Sequence, residues 1–160
     1  QSYQQTKQYS LAVEPYEKAY ELNGDPKLLF HLGRCAQKSS QYEKAITAYE
    51  GALLDDPGYV KARYNLSLTY MDAKKYEEAV ASFQQLIELE GDTYRAYYSM
   101  GLSYYYQDLY DEALESYDMA LEQKETVNVL NNIGLVYDAM GDKKAAQRYY
   151  KNAKALKDGK

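Results

Sequence analysis

The 160-residue sequence contains no tryptophan and only three prolines, one histidine and one cysteine. Because Cys35 is the single cysteine, an internal disulfide framework is excluded and the redox compartment is left undecided. No apolar run approaches the roughly 18 residues that a membrane-spanning helix needs, and the mean hydropathy is −0.72. The few prolines and the nine glycines indicate little loop.

Positive charge is also in deficit, with 19 Lys and Arg against 24 Asp and Glu, a formal net charge of −5 and a pI near 5.0. General nucleic-acid binding relies on clustered Lys and Arg, so the acidic balance argues against it. Hydrophobic residues make up 46% of the chain, which argues against disorder along its whole length. The length suits one domain or one short array of repeats.

The sequence does contain an internal repeat. A segment of tyrosine, two polar residues, alanine and an aliphatic residue starts at Tyr42, Tyr76 and Tyr110, at intervals of 34 residues, and a partial copy starts at Tyr9. Such a fixed period is typical of repeat proteins. An apolar residue followed by a small one stands upstream of each full copy and recurs once more after 33 residues: Leu32-Gly33, Leu66-Ser67, Met100-Gly101 and Ile133-Gly134.

Each repeat predicts two amphipathic helices. Leu29, Leu32 and Ala36 follow the spacing of a buried helical stripe. Asp25 followed by Pro26 is a good N-cap and first-turn pair. The pattern predicts an all-α chain with helix pairs near residues 26–39 and 42–55, 60–73 and 76–90, 94–107 and 110–123, and 127–140 and 143–157.

The period, the Leu-Gly pair, the Tyr-x-x-Ala segment with an aromatic residue four positions later, and Pro57 together resemble the tetratricopeptide repeat family. The resemblance covers residues 26–160 as four full repeats. It implies a right-handed α-solenoid of stacked antiparallel helix pairs, a superhelix that serves as a scaffold for binding partners. The sequence departs from the family pattern at Ser67, which replaces the small glycine, and at Arg63, which occupies an inward site where large apolar residues are usual.

The repeat also predicts how the chain is divided. Because residue 1 is glutamine and the chain opens inside a repeat, we expect an excerpt or a chain processed upstream, whose secretory signal cannot be judged. The expected segments are a partial repeat at 1–25 with a second helix near 9–22, then full repeats at 26–59, 60–93, 94–126 and 127–160.

Tyrosine is the over-represented residue, with 21 copies, and the repeat accounts for about half of them. If the register is right, Leu32, Leu66, Met100 and Ile133 are buried. Eleven tyrosines at recurring sites are expected to pack between helices: Tyr9, Tyr16, Tyr42, Tyr49, Tyr70, Tyr76, Tyr104, Tyr110, Tyr117, Tyr137 and Tyr150.

The face of each first helix opposite its buried stripe is expected to line a concave groove. In the first three full repeats this face carries five cations, which can pair with carboxylates, and one acid, Asp72. Tyr64 and Tyr98 are expected to stay exposed there, where tyrosine offers rigid contact area at low entropy cost. The predicted partner-binding residues are Lys27, Phe30, His31, Arg34, Lys38, Lys61, Tyr64, Asn65, Leu68, Arg95, Tyr98, Ser99, Leu102, Tyr105, Tyr106, Asn128, Asn131 and Asn132.

Catalytic interpretations find little support in the sequence. His31 and Cys35 lie four residues apart, a spacing that can share a metal or pair a thiol with an imidazole, but no second His or Cys completes a site. There is no glycine-rich phosphate loop and no Gly-x-Ser-x-Gly segment. We therefore predict no enzymatic activity, no cofactor and no metal.

The last predicted helix is strongly basic. Together with the residues after it, it has a net charge of +6, which leaves −11 for the rest of the chain. A solvated cap is one interpretation, and a docking face for an acidic partner is the other. The charged residues are Lys143, Lys144, Arg148, Lys151, Lys154, Lys157 and Lys160, against Asp158.

These observations predict a protein–protein interaction module that binds a peptide segment of a partner protein, acidic and apolar in character. Nucleic-acid binding and direct membrane insertion are not expected. Two alternatives stay open: a structural scaffold that forms homo-oligomers through the solenoid ends, and a substrate-docking arm of a larger enzyme. The compartment is undecided, with the cytoplasm slightly favoured.

Overall fold

The computed structural model describes residues 3–89 and 92–159, which form nine α-helices and no strand. The all-α prediction is therefore confirmed, and the ends of the eight paired helices fall within one turn of the predicted ends. In chain order the helices are α1 (Tyr3–Asn23), α2 (Pro26–Lys38), α3 (Tyr42–Asp55), α4 (Val60–Asp72), α5 (Tyr76–Glu88), α6 (Thr93–Tyr105), α7 (Tyr110–Gln123), α8 (Val127–Ala139) and α9 (Lys143–Lys157).

The first helix, α1, is longer than the segment predicted near 9–22. It begins at Tyr3 because the glutamines and lysine before Tyr9 are good helix formers. It also continues through Pro15, whose ring would ordinarily break or kink a helix.

Side-chain caps fix where several helices begin. Each capping oxygen accepts the backbone N–H of a residue in the first turn, which satisfies one of the four unpaired donors at a helix start. Asp25 accepts from Lys27 at 3.0 Å. The same arrangement holds for Asp92 at α6, Thr126 at α8 and Asp142 at α9.

The turn inside each helix pair contains one residue in the left-handed conformation. These residues are Ser40, Lys74, Asp108 and Gly141, with φ between 59° and 85°. The residue after each donates its N–H to a carbonyl five residues earlier, the pattern of a Schellman motif. The four bonds run from Gln41 to Ala36, Lys75 to Tyr70, Leu109 to Tyr104 and Asp142 to Tyr137.

The chain divides into two compact units, Gln1–Gln85 and Leu86–Lys160, each with stacked helix pairs. In the first unit, α2 packs on both α1 and α3, α3 packs on α4, and α2 touches α4. In the second unit, α7 packs on both α6 and α8, α8 packs on α9, and α6 touches α8. This packing confirms the predicted solenoid architecture.

Each unit has its own buried core. Leu32, Leu66, Met100 and Ile133 are all buried, as the register predicts. The core of the first unit includes Val13, Leu29, Leu32, Ile46, Tyr49, Leu53 and Leu66. A buried cluster of the second unit consists of Ala113, Tyr117, Ala120, Val129, Ile133 and Val136.

Glycines on the first helices let aromatic rings of the second helices approach the backbone. A Cβ atom placed on Gly33 would lie 2.7 Å from Cε1 of Tyr49, closer than real Cβ contacts allow. In the second full repeat, Ser67 and Phe83 take these positions, and the buried Ser67 hydroxyl is hydrogen-bonded to that of Ser82 at 2.8 Å. The other glycine–ring pairs are Gly101 with Tyr117 and Gly134 with Tyr150.

The eleven tyrosines at the recurring sites lie at the edges of the core as well as inside it. Tyr49 and Tyr117 are buried, and the other nine are half-buried. Several hydroxyls reach polar groups, since a tyrosine ring can pack while its hydroxyl stays bonded. Tyr70 donates to Oε1 of Glu50 at 2.7 Å and Tyr150 to Oδ2 of Asp138 at 2.8 Å.

Candidate functional site

In the first unit the predicted partner-binding residues lie on neighbouring sides of α2 and α4, named here the α2–α4 surface. Nε2 of Gln37 on α2 donates to Oδ2 of Asp72 on α4 at 3.2 Å, which links the two helices. Tyr64, Asn65 and Leu68 are half-buried. The exposed members of the surface are Lys27, His31, Arg34, Lys38 and Lys61.

Phe30 was predicted on this surface but is 9% exposed. It lies three residues before Gly33, at the edge of the buried stripe of α2. Its ring centroid is 6.0 Å from that of Tyr49 and 5.0 Å from that of Tyr59. The Arg34 guanidinium carbon lies 5.9 Å from the Phe30 ring centroid, within cation–π range. Phe30 therefore packs beneath the surface instead of projecting from it.

The α2–α4 surface is positively charged. Within residues 3–89, its four cations have no carboxylate within ion-pairing distance, and Asp72 is the acid among them. A cleft of about 320 Å³ lies beside Lys27 and His31, and Asp55 and Asp56 also line it. The four cations, Lys27, Arg34, Lys38 and Lys61, are thus available to a partner's carboxylates.

In the second unit the predicted residues lie on α6 and α8, named here the α6–α8 surface. Arg95, Tyr106 and Asn128 are exposed. Arg95 is not an unpaired cation, because its Nε lies 3.2 Å from Oδ2 of Asp92. The half-buried members are Tyr98, Leu102, Tyr105, Asn131 and Asn132.

Ser99 was predicted on the α6–α8 surface, but it is buried and 6% exposed. Ala96, Ser99 and Ser103 follow the helical spacing of the buried stripe of α6, so Ser99 faces the packed side. Its carbonyl accepts a hydrogen bond from Oγ of Ser103 at 2.9 Å. Ser99 is therefore a packing residue.

The prediction that Tyr64 and Tyr98 stay exposed is wrong, since both are half-buried. The Tyr98 ring centroid lies 6.0 Å from that of Tyr117. The Tyr98 hydroxyl accepts a hydrogen bond from Nδ2 of Asn132 at 3.1 Å. Tyr98 thus joins α6 to α8, and its removal would disturb packing as well as binding.

A group of tyrosines lies at the end of α6. The Tyr105 ring centroid is 5.8 Å from that of Tyr106 and 6.1 Å from that of Tyr110. Tyr106 is 56% exposed. These rings give the α6–α8 surface an aromatic end that can contact apolar side chains.

The His31 and Cys35 side chains lie in different environments. Cys35 is buried, and its burial raises the pKa of the thiol. His31 is exposed and stacks on Tyr16, with ring centroids 5.7 Å apart. The described residues contain no cluster of His, Cys, Asp or Glu that could hold a metal ion. Across these same ranges, no helix has the length and apolar character needed to cross a membrane.

The sequence identified Arg63 as an unusual residue at an inward site, but it did not show that part of the guanidinium group would be buried without a hydrogen-bond partner. Nε of Arg63 is buried and has no hydrogen-bond partner in the part of the chain that is described. Arg63 borders a cleft of about 580 Å³ formed by α3, α4 and the first part of α5. Glu50, Leu54 and Glu78 also line this cleft.

Comparison with known protein families identifies tetratricopeptide repeats across most of the chain. Three family models, each described as tetratricopeptide repeat, match residues 1–26, 36–103 and 92–158. Together the three matches include helices of both units.

Curated relatives match over a shorter stretch. The peroxisomal targeting signal receptor of Kluyveromyces lactis is 33% identical over 66 residues, which is 41% of this chain and 12% of that protein. The receptor of the same description from Saccharomyces cerevisiae is 34% identical over 65 residues, covering 40% of this chain and 11% of its own length. The chain therefore spans a small part of these receptors.

Solved structures match along nearly the whole chain. A structure of MamA MSR-1 is 26% identical, with a TM-score of 0.80, and the match covers 95% of this chain and 88% of that one. MamA from Desulfovibrio magneticus RS-1 is 19% identical, with a TM-score of 0.79 and coverage of 98% and 97%. At that identity the likeness shows the fold alone.

Proposed function

Because this chain belongs to the tetratricopeptide repeat family, we propose that it is a protein-interaction scaffold whose α2–α4 surface binds a peptide segment rich in acidic and apolar residues. The observation that carries the proposal is a set of four exposed cations that have no carboxylate partner among residues 3–89. One of them, Arg34, lies over the ring of the buried Phe30. This cluster is opposite in sign to the net charge of the chain, which is −5.

The chemistry of the surface defines the peptide it fits. Arg34 can hold a carboxylate through two parallel N–H donors, whereas Lys61 acts as a point charge. Asn65 can both donate to and accept from an extended peptide backbone. Tyr64 and Leu68 are half-buried and offer apolar contact between the charges. The combination favours a segment in which acidic and apolar side chains alternate.

The α6–α8 surface contributes a different kind of contact. Its cation, Arg95, is already paired with Asp92, so this surface relies on amides and aromatic rings. Besides Arg95, its exposed members are Asn128 and Tyr106. We propose that this surface, taken by itself, suits contact with apolar and backbone groups of a peptide and exerts little electrostatic attraction.

The relatives support peptide recognition without naming the partner. The curated relatives are, by description, receptors for a targeting signal. A scaffold of this kind needs no catalytic step.

The proposal is tested with a fluorescein-labelled ten-residue peptide that alternates glutamate and leucine, using fluorescence anisotropy at low salt. The variant Arg34→Gln/Lys61→Gln should bind about tenfold more weakly, a loss of about 1.4 kcal/mol. The control Lys7→Gln/Lys124→Gln removes the same charge at exposed positions elsewhere and should leave binding within about twofold. A companion peptide with glutamine in place of glutamate should bind poorly to every variant.

Both double variants should keep the wild-type melting temperature, because all four side chains are exposed. Equal binding by the Arg34/Lys61 variant and the control would remove the α2–α4 surface as the site.

A further inference from the structure

The last described helix, α9, differs from the other second helices at two positions of the repeat. Gln147 and Lys154 occupy these positions in α9, and both are exposed. The side of α9 that carries these two positions is therefore polar. It has no apolar stripe at these positions on which another helix could pack. In α3, α5 and α7 the same positions hold aliphatic pairs: Ile46 and Leu53, Val80 and Ile87, and Leu114 and Leu121.

This polar side carries an uncompensated positive charge. The fifteen residues of α9 include six cations and no acid. All six are exposed, and none has a carboxylate within ion-pairing distance in residues 92–159. At about 100° per residue they spread over roughly half of the helix circumference. They are Lys143, Lys144, Arg148, Lys151, Lys154 and Lys157.

Helix stability does not explain this arrangement. Lys154 and Lys157 lie in the last turn, where the helix dipole favours cations, but Lys143 and Lys144 lie in the first turn, where it disfavours them. The first turns of α3, α5 and α7 carry acidic residues instead. Like charges three and four residues apart, such as Lys144, Arg148 and Lys151, also repel one another. An anionic ligand would relieve this repulsion.

The surroundings of α9 show what kind of anion fits. A trough of about 400 Å³ runs between α8 and α9. Its lining includes Val127, Asn131 and Tyr150, together with two cations, Lys154 and Lys157, and one acid, Asp158. The Asn131 carboxamide can hydrogen-bond to a peptide backbone while the two lysines bind carboxylates. Val127 and Tyr150 offer apolar contact beside them.

We propose that α9, with the trough beside α8, is a second docking surface and binds an acidic peptide segment of a partner protein. A lipid surface fits poorly, because Leu156, at 37% exposure, is the large exposed hydrophobic residue on α9 and a membrane-bound helix needs a full apolar face. A long polyanion such as duplex DNA would be repelled by the remaining net charge of −11. A short acidic segment can contact α9 alone.

The experiment uses a labelled peptide of ten glutamates and the whole chain. The variant Lys154→Gln/Lys157→Gln removes the two lysines that line the trough, and it should weaken binding at least about tenfold and reduce its dependence on salt. The control Lys7→Gln/Lys124→Gln should stay within about twofold. Glutamine keeps the helix propensity of lysine, and a circular-dichroism melt checks that α9 remains folded.

Carbodiimide cross-linking followed by mass spectrometry then locates the peptide. Cross-links from its carboxylates should fall on α9 lysines and persist in the Arg34→Gln/Lys61→Gln variant, which separates this surface from the α2–α4 surface. Cross-links confined to Lys27, Lys38 and Lys61 would overturn the proposal. Binding of phosphatidylserine vesicles or duplex DNA to α9, with no binding of the acidic peptide, would overturn it as well.

Discussion

At the scale of single residues, helix pairing depends on a ring lying against a backbone that has no side chain. Tyr117 is 1% exposed and its Cε1 would lie 2.6 Å from a Cβ on Gly101. A buried ring cannot move aside, because protein interiors are closely packed. The small residues of the repeat are therefore required by the aromatic residues opposite them.

We expect Gly101→Ala to destabilise the protein by about 1–3 kcal/mol, because the new methyl group would overlap the Tyr117 ring. Urea unfolding followed by circular dichroism measures the change. The matched control is Gly58→Ala, where a Cβ would meet Oδ1 of Asp56 at an ordinary 3.5 Å. Equal stability of the two variants would contradict the proposed role of the glycine.

Residue-level prediction succeeded for the centre of each buried stripe and failed at its edges. Leu66 and Ile133 lie at stripe centres, where periodicity alone decides their burial. Phe30 and Tyr98 lie at the edges, where neighbouring helices decide how much of a large ring is covered. Sequence spacing holds no information about those neighbours, so the predicted exposure of Tyr98 was wrong. The pairing of Arg95 with Asp92 was missed, although its three-residue spacing could have indicated it.

At the scale of helices, the turn inside each pair is defined by one left-handed residue. Gly141 takes this conformation without steric cost, but Ser40, Lys74 and Asp108 carry a Cβ in the same region. Gly141 and, more weakly, Asp108 could have been recognised from their residue types. Ser40 and Lys74 carry no such signal, and their conformation follows from their equivalent position in the repeat.

Lys74→Gly should therefore stabilise the protein by about 0.5–1 kcal/mol, because glycine relieves the Cβ strain at a Schellman position. Lys74 is exposed, so its side chain contributes little packing. Lys74→Ala keeps the Cβ and serves as the control, with an expected change below about 0.5 kcal/mol. Thermal unfolding of the three proteins gives the comparison. A gain for alanine as large as that for glycine would point to the lysine charge instead of the backbone.

Helix ends were predictable because their signals are local. Asp25 with Pro26 and Asp92 cap helices through side chains only a few residues away from the groups they bind. The extent of α1 was less predictable, since its first turns lie outside the repeat pattern. The division into repeats at 26–59, 60–93, 94–126 and 127–160 remains a prediction about units of sequence, whereas the compact units of the structure are Gln1–Gln85 and Leu86–Lys160.

For the whole molecule, tyrosine ionisation links packing to pH. Burial is the main cause that raises the pKa of Tyr49 and Tyr117 well above the ordinary value. Burial, followed by the hydrogen bond to Asp138, raises the pKa of Tyr150 to about 12. Burial and the bond to Glu50 act in the same direction on the pKa of Tyr70. The folded chain thus holds these protons at pH values where the unfolded chain releases them.

We expect stability to be insensitive to these groups below about pH 10 and to fall as the pH rises above it, since the unfolded state then binds fewer protons. Absorbance at 295 nm should show a group of tyrosines, including Tyr49 and Tyr117, that ionises only as helical circular dichroism is lost. The protein in guanidinium chloride is the control and should titrate in one step. A single titration near pH 10 with intact helices would contradict the expectation.

The polar pair on α9 also determines how the array can be lengthened by design. In α7, which packs on α8, the equivalent positions hold Leu114 and Leu121, whereas α9 has Gln147 and Lys154. Two leucines there would give α9 the aliphatic stripe of α7, onto which a duplicated α8–α9 module could be grafted. In the natural sequence the amide and the ammonium group would have to be desolvated before another helix could pack there, so the pair disfavours such packing.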